Sequence, residues 1–142
     1  AGDWILAADT VVACGLRVLP KPEDEQAVRK CLSLLSGRRH KVLGGICIID
    51  PQGEAHTRCV TSAVLFKRLH DREIEAYVEG GEWRGKAGGY AIQGHAARFV
   101  KWISGSYSNV VGLPLFETCQ LLEGLGFEAG IAAVGGVKEA AQ

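Results

Sequence analysis

Val42-Leu43-Gly44-Gly45-Ile46-Cys47-Ile48-Ile49 and Thr57-Arg58-Cys59-Val60-Thr61-Ser62-Ala63-Val64-Leu65-Phe66 flank Asp50-Pro51-Gln52-Gly53. β-Branched residues crowd both arms, and the residues between them are those of a tight chain reversal. The pattern predicts an antiparallel hairpin, Val42 to Ile49 returning as Thr57 to Phe66. Upstream, Trp4-Ile5-Leu6-Ala7-Ala8 is a short apolar run closing on Asp9-Thr10, with Val11-Val12-Ala13-Cys14 before Gly15. It reads as a strand that delivers a carboxylate at its end. Pro20 and Pro22 break the chain. Glu23-Asp24-Glu25 then opens an amphipathic helix, acids first as the helix dipole favours, with an apolar stripe at Ala27/Val28, Cys31/Leu32 and Leu35. Gly37 is placed to end it. Arg38-Arg39-His40-Lys41 follows and reads as a solvated helix exit that could double as a phosphate patch.

Downstream of the hairpin, Leu69 to Ile74 starts a second helix, with His70 or Asp71 at its cap and Leu69 stapled to its first turn. Ile74, Tyr77 and Val78 form its buried face, and Gly80-Gly81 stop it. Trp83 to Gly94 is glycine-rich and irregular. Ala97 to Ile103 reads as a strand. Pro114 takes the first position of a last helix whose apolar side is Leu115, Cys119 and Leu122. Ala129 to Gln142 reads as a terminal strand or a tail. One hairpin among irregularly alternating strands and helices predicts an α/β domain with a mixed, partly antiparallel sheet flanked by helices, spanning residues 1–142 as one unit.

Composition narrows the function classes. Sixteen Lys and Arg face sixteen Asp and Glu, a formal net charge of +0, so no global field draws nucleic acid or an anionic membrane. Apolar runs fall short of the roughly 18 residues a membrane-spanning helix needs, and no basic-then-apolar leader opens the chain. Five cysteines, an odd number without a C-x-x-C pair, suit neither a disulfide framework nor a zinc site, and each reads as a small buried hydrophobe. A reducing, cytoplasmic setting is the expectation. The four histidines have no mutual spacing that suggests a metal.

Three stretches carry polar groups that packing alone does not require. In Ala8-Asp9-Thr10, a carboxylate after an apolar strand is costly unless it meets a cation or donors. The carboxyl end of a strand is also where α/β ligand sites form. A turn or capping aspartate is the plain alternative. In Leu19-Pro20-Lys21-Pro22, two prolines hold the backbone extended and aim the Lys21 ammonium, as a phosphate contact wants, though a plain surface lysine would look the same. The third stretch is Gly81 to Gly94, containing Lys86-Ala87-Gly88-Gly89-Tyr90-Ala91-Ile92-Gln93. Its glycines allow close backbone approach to an anion. Neither the Walker spacing nor a dinucleotide fingerprint is present. The planar amide of Gln93 can pair with a base edge that offers one donor beside one acceptor, as uracil and thymine do. An ordinary loop glutamine remains the alternative.

Taken together, Ala8-Asp9-Thr10-Val11-Val12, Lys21-Pro22, Leu35-Ser36-Gly37-Arg38-Arg39-His40, Lys86 to Gly94 and Gly105-Ser106-Tyr107-Ser108-Asn109-Val110-Val111-Gly112-Leu113-Pro114-Leu115 resemble, in order and spacing, the Maf family of nucleoside triphosphate pyrophosphatases. The likeness runs from about Trp4 to Leu122. It implies a mixed α/β fold with a deep nucleotide cleft, similar to the inosine triphosphate pyrophosphatases. It further implies metal-dependent hydrolysis of a nucleoside triphosphate to the monophosphate and pyrophosphate. Asp9 matches the family's proton acceptor. Thr10 and Gln93 match positions tied to base choice, and Lys21 and Lys86 match lysines of the phosphate cleft. A glutamine at position 93 is similar to the branch that takes dTTP and UTP. The implied cofactor is Mg²⁺ or Mn²⁺, held partly by Asp9. The nucleotide is the expected partner, with a homodimer, no nucleic acid and no membrane. The family opens on a Ser- and Arg-rich triphosphate loop without a counterpart here, so the chain, which lacks Met, is expected to be N-terminally truncated. The alternatives are hydrolysis of modified nucleotides, or nucleotide binding without catalysis in the control of cell division and septum formation.

Overall fold

The computed structural model describes residues 2–127 and 137–140. Its centre is the expected hairpin, longer at both ends: strand β3 runs Arg39–Ile49 and β4 runs Ala55–Phe66. Asp50 makes the turn, its Oδ1 accepting the amides of Gln52 (2.9 Å) and Glu54 (3.0 Å). On the other side of β3 lies β1, Trp4–Cys14, paired antiparallel from Ile5↔Ile49 to Ala13↔Lys41. The Asp9-Thr10 break therefore does not end the strand. Val11 to Cys14 continues it, so Asp9 sits mid-strand, opposite Gly45.

β2 (Arg17–Leu19) folds back on the far edge of β1, and β5 (Val100–Ser104) closes the other edge beside β4, giving the order β2-β1-β3-β4-β5. β6 (Val137–Ala140) pairs parallel with Trp4–Ala7 of β1, which makes the sheet mixed, as expected. The far edge of β1 is thus shared: β6 takes Trp4–Ala7 and β2 takes Val12–Cys14. Between them, Ala8–Val11 has no strand on that edge among the described residues.

Strand periodicity sorts the side chains. On β3, His40, Val42, Ile46 and Ile48 are buried, while Arg39 and Lys41 are exposed. Helix α1 (Glu25–Leu35) packs Val28, Cys31, Leu32 and Leu35 against this face. Its cap is Asp24, whose carboxylate accepts the Ala27 amide at 2.8 Å. Helix α2 (Asp71–Gly80) starts at His70, whose amide donates to Glu73 at 2.9 Å, and ends at Gly81 with φ of 76°. It adds Ile74, Tyr77 and Val78 to the same core. A second cluster joins Leu6, Ile46 and Ile48 to Leu121 and Leu122 of α4 (Leu115–Gly124).

Between the two clusters sits the short helix α3, Tyr107–Val111, which the sequence reading does not contain. Its Asn109 is fully buried and donates through Nδ2 to the carbonyls of Val42 (3.1 Å) and Val60 (3.0 Å) and to Ser62 Oγ (3.1 Å). Gly44 makes room for it: a Cβ there would stand 1.9 Å from Asn109 Oδ1.

Several expectations are corrected. Ala97 to Ile103 is not one strand; a 3₁₀ segment, His95–Phe99, precedes β5. Pro114 caps α4 rather than occupying its first turn, and the buried side is Thr118, Leu121 and Leu122, with Leu115 and Cys119 exposed; the Thr118 hydroxyl is satisfied there by the Pro114 carbonyl at 2.7 Å. Arg38 to Lys41 is not a solvated helix exit, because β3 begins at Arg39 and its alternation buries His40. All five cysteines are free, but only Cys14 and Cys31 are buried; Cys47 is half-buried and Cys59 and Cys119 are exposed. Of the expected terminal strand, Val137–Ala140 is present, and residues 128–136 and 141–142 lie outside the described residues. No helix among the described residues is long and apolar enough to cross a membrane.

Candidate active site

The split edge of β1 positions the site. Asp9 and Thr10 leave opposite faces of the strand, so a cavity that touches both must wrap the edge, at the interval free of β6 and β2. Such a cavity, of about 240 Å³, is lined by Asp9 and Thr10, by Lys21, and by Gly85, Lys86, Ala87, Tyr90 and Gln93. Val12 and Val42 form its floor and Val110 and Val111 of α3 part of its wall. All five residues singled out from the sequence, Asp9, Thr10, Lys21, Lys86 and Gln93, therefore share one concavity. Asp9 Oδ1 accepts the Thr10 amide at 2.9 Å, which holds the carboxylate against its own strand.

The two lysine-bearing loops are joined by backbone: the Gly88 amide donates to the Pro20 carbonyl at 3.3 Å. Glycine is required at that junction. Gly88 (φ +70°) and Gly89 (φ +84°) are left-handed, and a Cβ on either would stand 2.9 Å from a methyl carbon, of Val12 and Val28 respectively. Further along, Glu82 accepts the amide of His95 at 2.9 Å and pairs with its ring Nδ1, tying together the ends of the loop. That pairing holds the Glu82 carboxyl below the ordinary range.

Lys21, Lys86, Gln93 and Asp9 are exposed, and neither lysine enters an ion pair among the described residues. Two ammonium groups against one carboxylate give the lining a net positive charge, suited to an anion of higher charge. Asp9 is the only carboxylate among the described lining residues. A magnesium-sized ion commonly takes one or two protein carboxylates and completes its shell with phosphate oxygens and water, so this donor set fits a cation that arrives with a triphosphate.

Two features escape the sequence reading. His40, 1% exposed, lies beneath the cavity with Nε2 2.6 Å from the Tyr90 hydroxyl. Burial lowers its pKa to about 4, so the ring is neutral. Asp50, Glu54 and His56, at the hairpin turn, form a group whose ligand atoms lie within 4.8 Å of one another and could hold a metal. That group stands at the Ile49 end of β3, four pairing positions beyond the Asp9↔Gly45 pair, so it contributes nothing to the Asp9 cavity. Alternation in β3 could have revealed His40. The acid–histidine group joins residues across a turn, which mutual histidine spacing does not register.

Comparison with known proteins adds the following. The family described as Maf-like protein matches residues 1–125. The dTTP/UTP pyrophosphatase of Paramagnetospirillum magneticum is 66% identical over 126 residues, 89% of this chain and 66% of that protein. The dTTP/UTP pyrophosphatases of Rhodospirillum rubrum and Granulibacter bethesdensis are 59% and 62% identical over 129 residues, 91% of this chain and 61% of each. The chain thus spans between about three fifths and two thirds of the length of these curated relatives.

Proposed function

This chain belongs to the Maf-like protein family, and from that premise we propose that it carries the nucleotide cleft of a dTTP/UTP pyrophosphatase. The observation that supports this reading best is the sharing of one cavity by Asp9, Thr10, Lys21, Lys86 and Gln93, residues spread over 85 positions of sequence. The names of the relatives agree with it.

The reaction requires water to attack the α-phosphorus while the bond to the α,β-bridging oxygen breaks. Pyrophosphate leaves with the electron pair, and the nucleoside monophosphate remains. Negative charge grows on the leaving group, so fixed positive charge is the main electrostatic requirement. Lys21 and Lys86 supply it. The Asp9 carboxylate, held by the Thr10 amide, takes the proton from the attacking water at its free oxygen. A divalent cation, Mg²⁺ or Mn²⁺, would neutralise phosphate charge when bound, and Asp9 would hold it in place of accepting the proton, the two roles being alternatives for one free oxygen. Gln93 reads the pyrimidine edge through its amide, and Thr10 lines the same cavity beside Asp9. In this reading the protein is a cytoplasmic enzyme of nucleotide metabolism, acting as a homodimer.

Asp9→Asn keeps the shape of the side chain and removes its basicity. Pyrophosphate release from UTP is expected to fall about a hundredfold or more. Release within tenfold of the parent protein would remove Asp9 from the proton-accepting role.

A further inference from the structure

We propose that His40 is a positioning residue which, through its hydrogen bond to Tyr90, fixes the conformation of the Lys86–Gln93 loop. The two residues are 50 positions apart and belong to different layers, β3 and the cavity loop. Each is nearly sealed from solvent, 1% and 7% exposed, and they meet at 2.6 Å. The rings cross edge to face at 5.5 Å, and Phe66 packs against both, at 5.1 Å from His40 and 4.9 Å from Tyr90.

An imidazole in this apolar setting requires a reason, since Nδ1 has no partner among the described residues and a phenylalanine would pack with less desolvation. Directional anchoring is that reason. Tyr90 stands four residues after Lys86 and three before Gln93, at the centre of a segment with little regular structure. Backbone bonds also tie the segment, among them Gly88 to Pro20 and Gly89 to Lys86 (2.9 Å), with Lys86 bonded to Trp83 (3.2 Å) and Gly94 to Ala91 (3.1 Å) at its ends. Apolar packing alone would let the Tyr90 ring slide or rotate, because dispersion is non-directional. The hydrogen bond to His40 fixes one orientation, and with it where Lys86 and Gln93 enter the cavity.

That this placement serves a nucleotide rests on the reading above; the positioning itself does not, and the test separates them. Amide exchange at Gly88 and Gly89, melting temperature and UTP binding are compared in the parent chain, Tyr90→Phe and the double variant His40→Phe/Tyr90→Phe. Losing a net hydrogen bond in Tyr90→Phe is expected to speed exchange at both glycines by about threefold to tenfold, with α2 amides unchanged, and to weaken UTP by a similar factor. The double variant removes both polar groups, so its melting temperature recovers toward the parent value while loop exchange and UTP affinity stay impaired. Unchanged glycine exchange in Tyr90→Phe overturns the proposal. So does a double variant that regains both protection and affinity, since packing would then suffice. If the parent chain does not bind UTP, the nucleotide reading fails, and exchange still decides the role of His40.

Discussion

Keeping an imidazole neutral inside a protein links its protonation to folding. His40 has an ordinary value of 6.5 when unfolded and about 4 in the folded chain, because burial penalises the cation. Above pH 6.5 both states are neutral and the group contributes no pH dependence. As pH falls from 6.5 toward 4 the unfolded chain binds a proton that the folded chain refuses, so stability drops, and the loss levels off below pH 4. Its size is roughly 2 kcal/mol at pH 4.5. Urea unfolding at pH 7 and pH 4.5 is expected to show this loss in the parent chain and to show most of it removed in His40→Gln. Equal pH dependence in the two proteins would mean that the imidazole is not buried as described. Asp50, Glu73, Glu75 and Glu82, whose values are lowered by their partners, destabilise the fold at lower pH and do so in both proteins. At this scale Asp9, Lys21 and Gln93 stand out in the sequence as polar groups that packing does not need, whereas Thr10 and Lys86 are singled out by the family resemblance; the cavity brings all five together. His40 was hidden among three basic neighbours, where only the alternation of a strand not yet known to start at Arg39 distinguishes it.

Elements were legible where a period repeats. Helix α1 offers three turns of apolar stripe, and Val28, Cys31, Leu32 and Leu35 are the residues it buries. The five residues of α3 and three of β2 are too short for any period. The α4 stripe departs from its apolar pattern because Thr118 takes a core position, its hydroxyl satisfied by the Pro114 carbonyl at 2.7 Å, while Leu115 and Cys119 face outward. The cavity loop obeys a different constraint, close approach, which two glycines with nearly equal backbone angles can separate. A Cβ on Gly89 (φ +84°) would stand 2.9 Å from a Val28 methyl, whereas one on Gly53 (φ +87°) in the hairpin turn would meet nothing within 4 Å among the described residues. Alanine at either position bears the left-handed penalty of about 1–2 kcal/mol. Only at position 89 must it also displace α1. In urea unfolding, Gly89→Ala is expected to lose at least about 1 kcal/mol more than Gly53→Ala, and to weaken UTP binding where Gly53→Ala does not. Equal losses would show that the loop does not rest on α1.

The site belongs to no single element. It needs the edge interval of β1, the Lys21 loop, the Lys86–Gln93 loop and α3, and no reading along the chain could supply the shared edge of β1, because β2 and β6 pair with that strand from opposite ends of the sequence. A ligand that bridges these parts stabilises the folded state as a whole, by about 2.7 kcal/mol at a hundred times its dissociation constant. For a chain of 142 residues this is a rise in melting temperature of several degrees. UTP with Mg²⁺ is expected to produce that rise, and CTP, whose base edge reverses donor and acceptor, a smaller one. The difference should narrow in Gln93→Glu, since a carboxylate presents acceptors only. Because Lys21 and Lys86 are exposed, the UTP shift should also shrink as salt rises toward 1 M, where screening acts within about 3 Å. A shift indifferent to salt would place the triphosphate away from the two lysines. A UTP–CTP difference untouched by Gln93→Glu would assign base reading to the remaining lining groups, Thr10 among them.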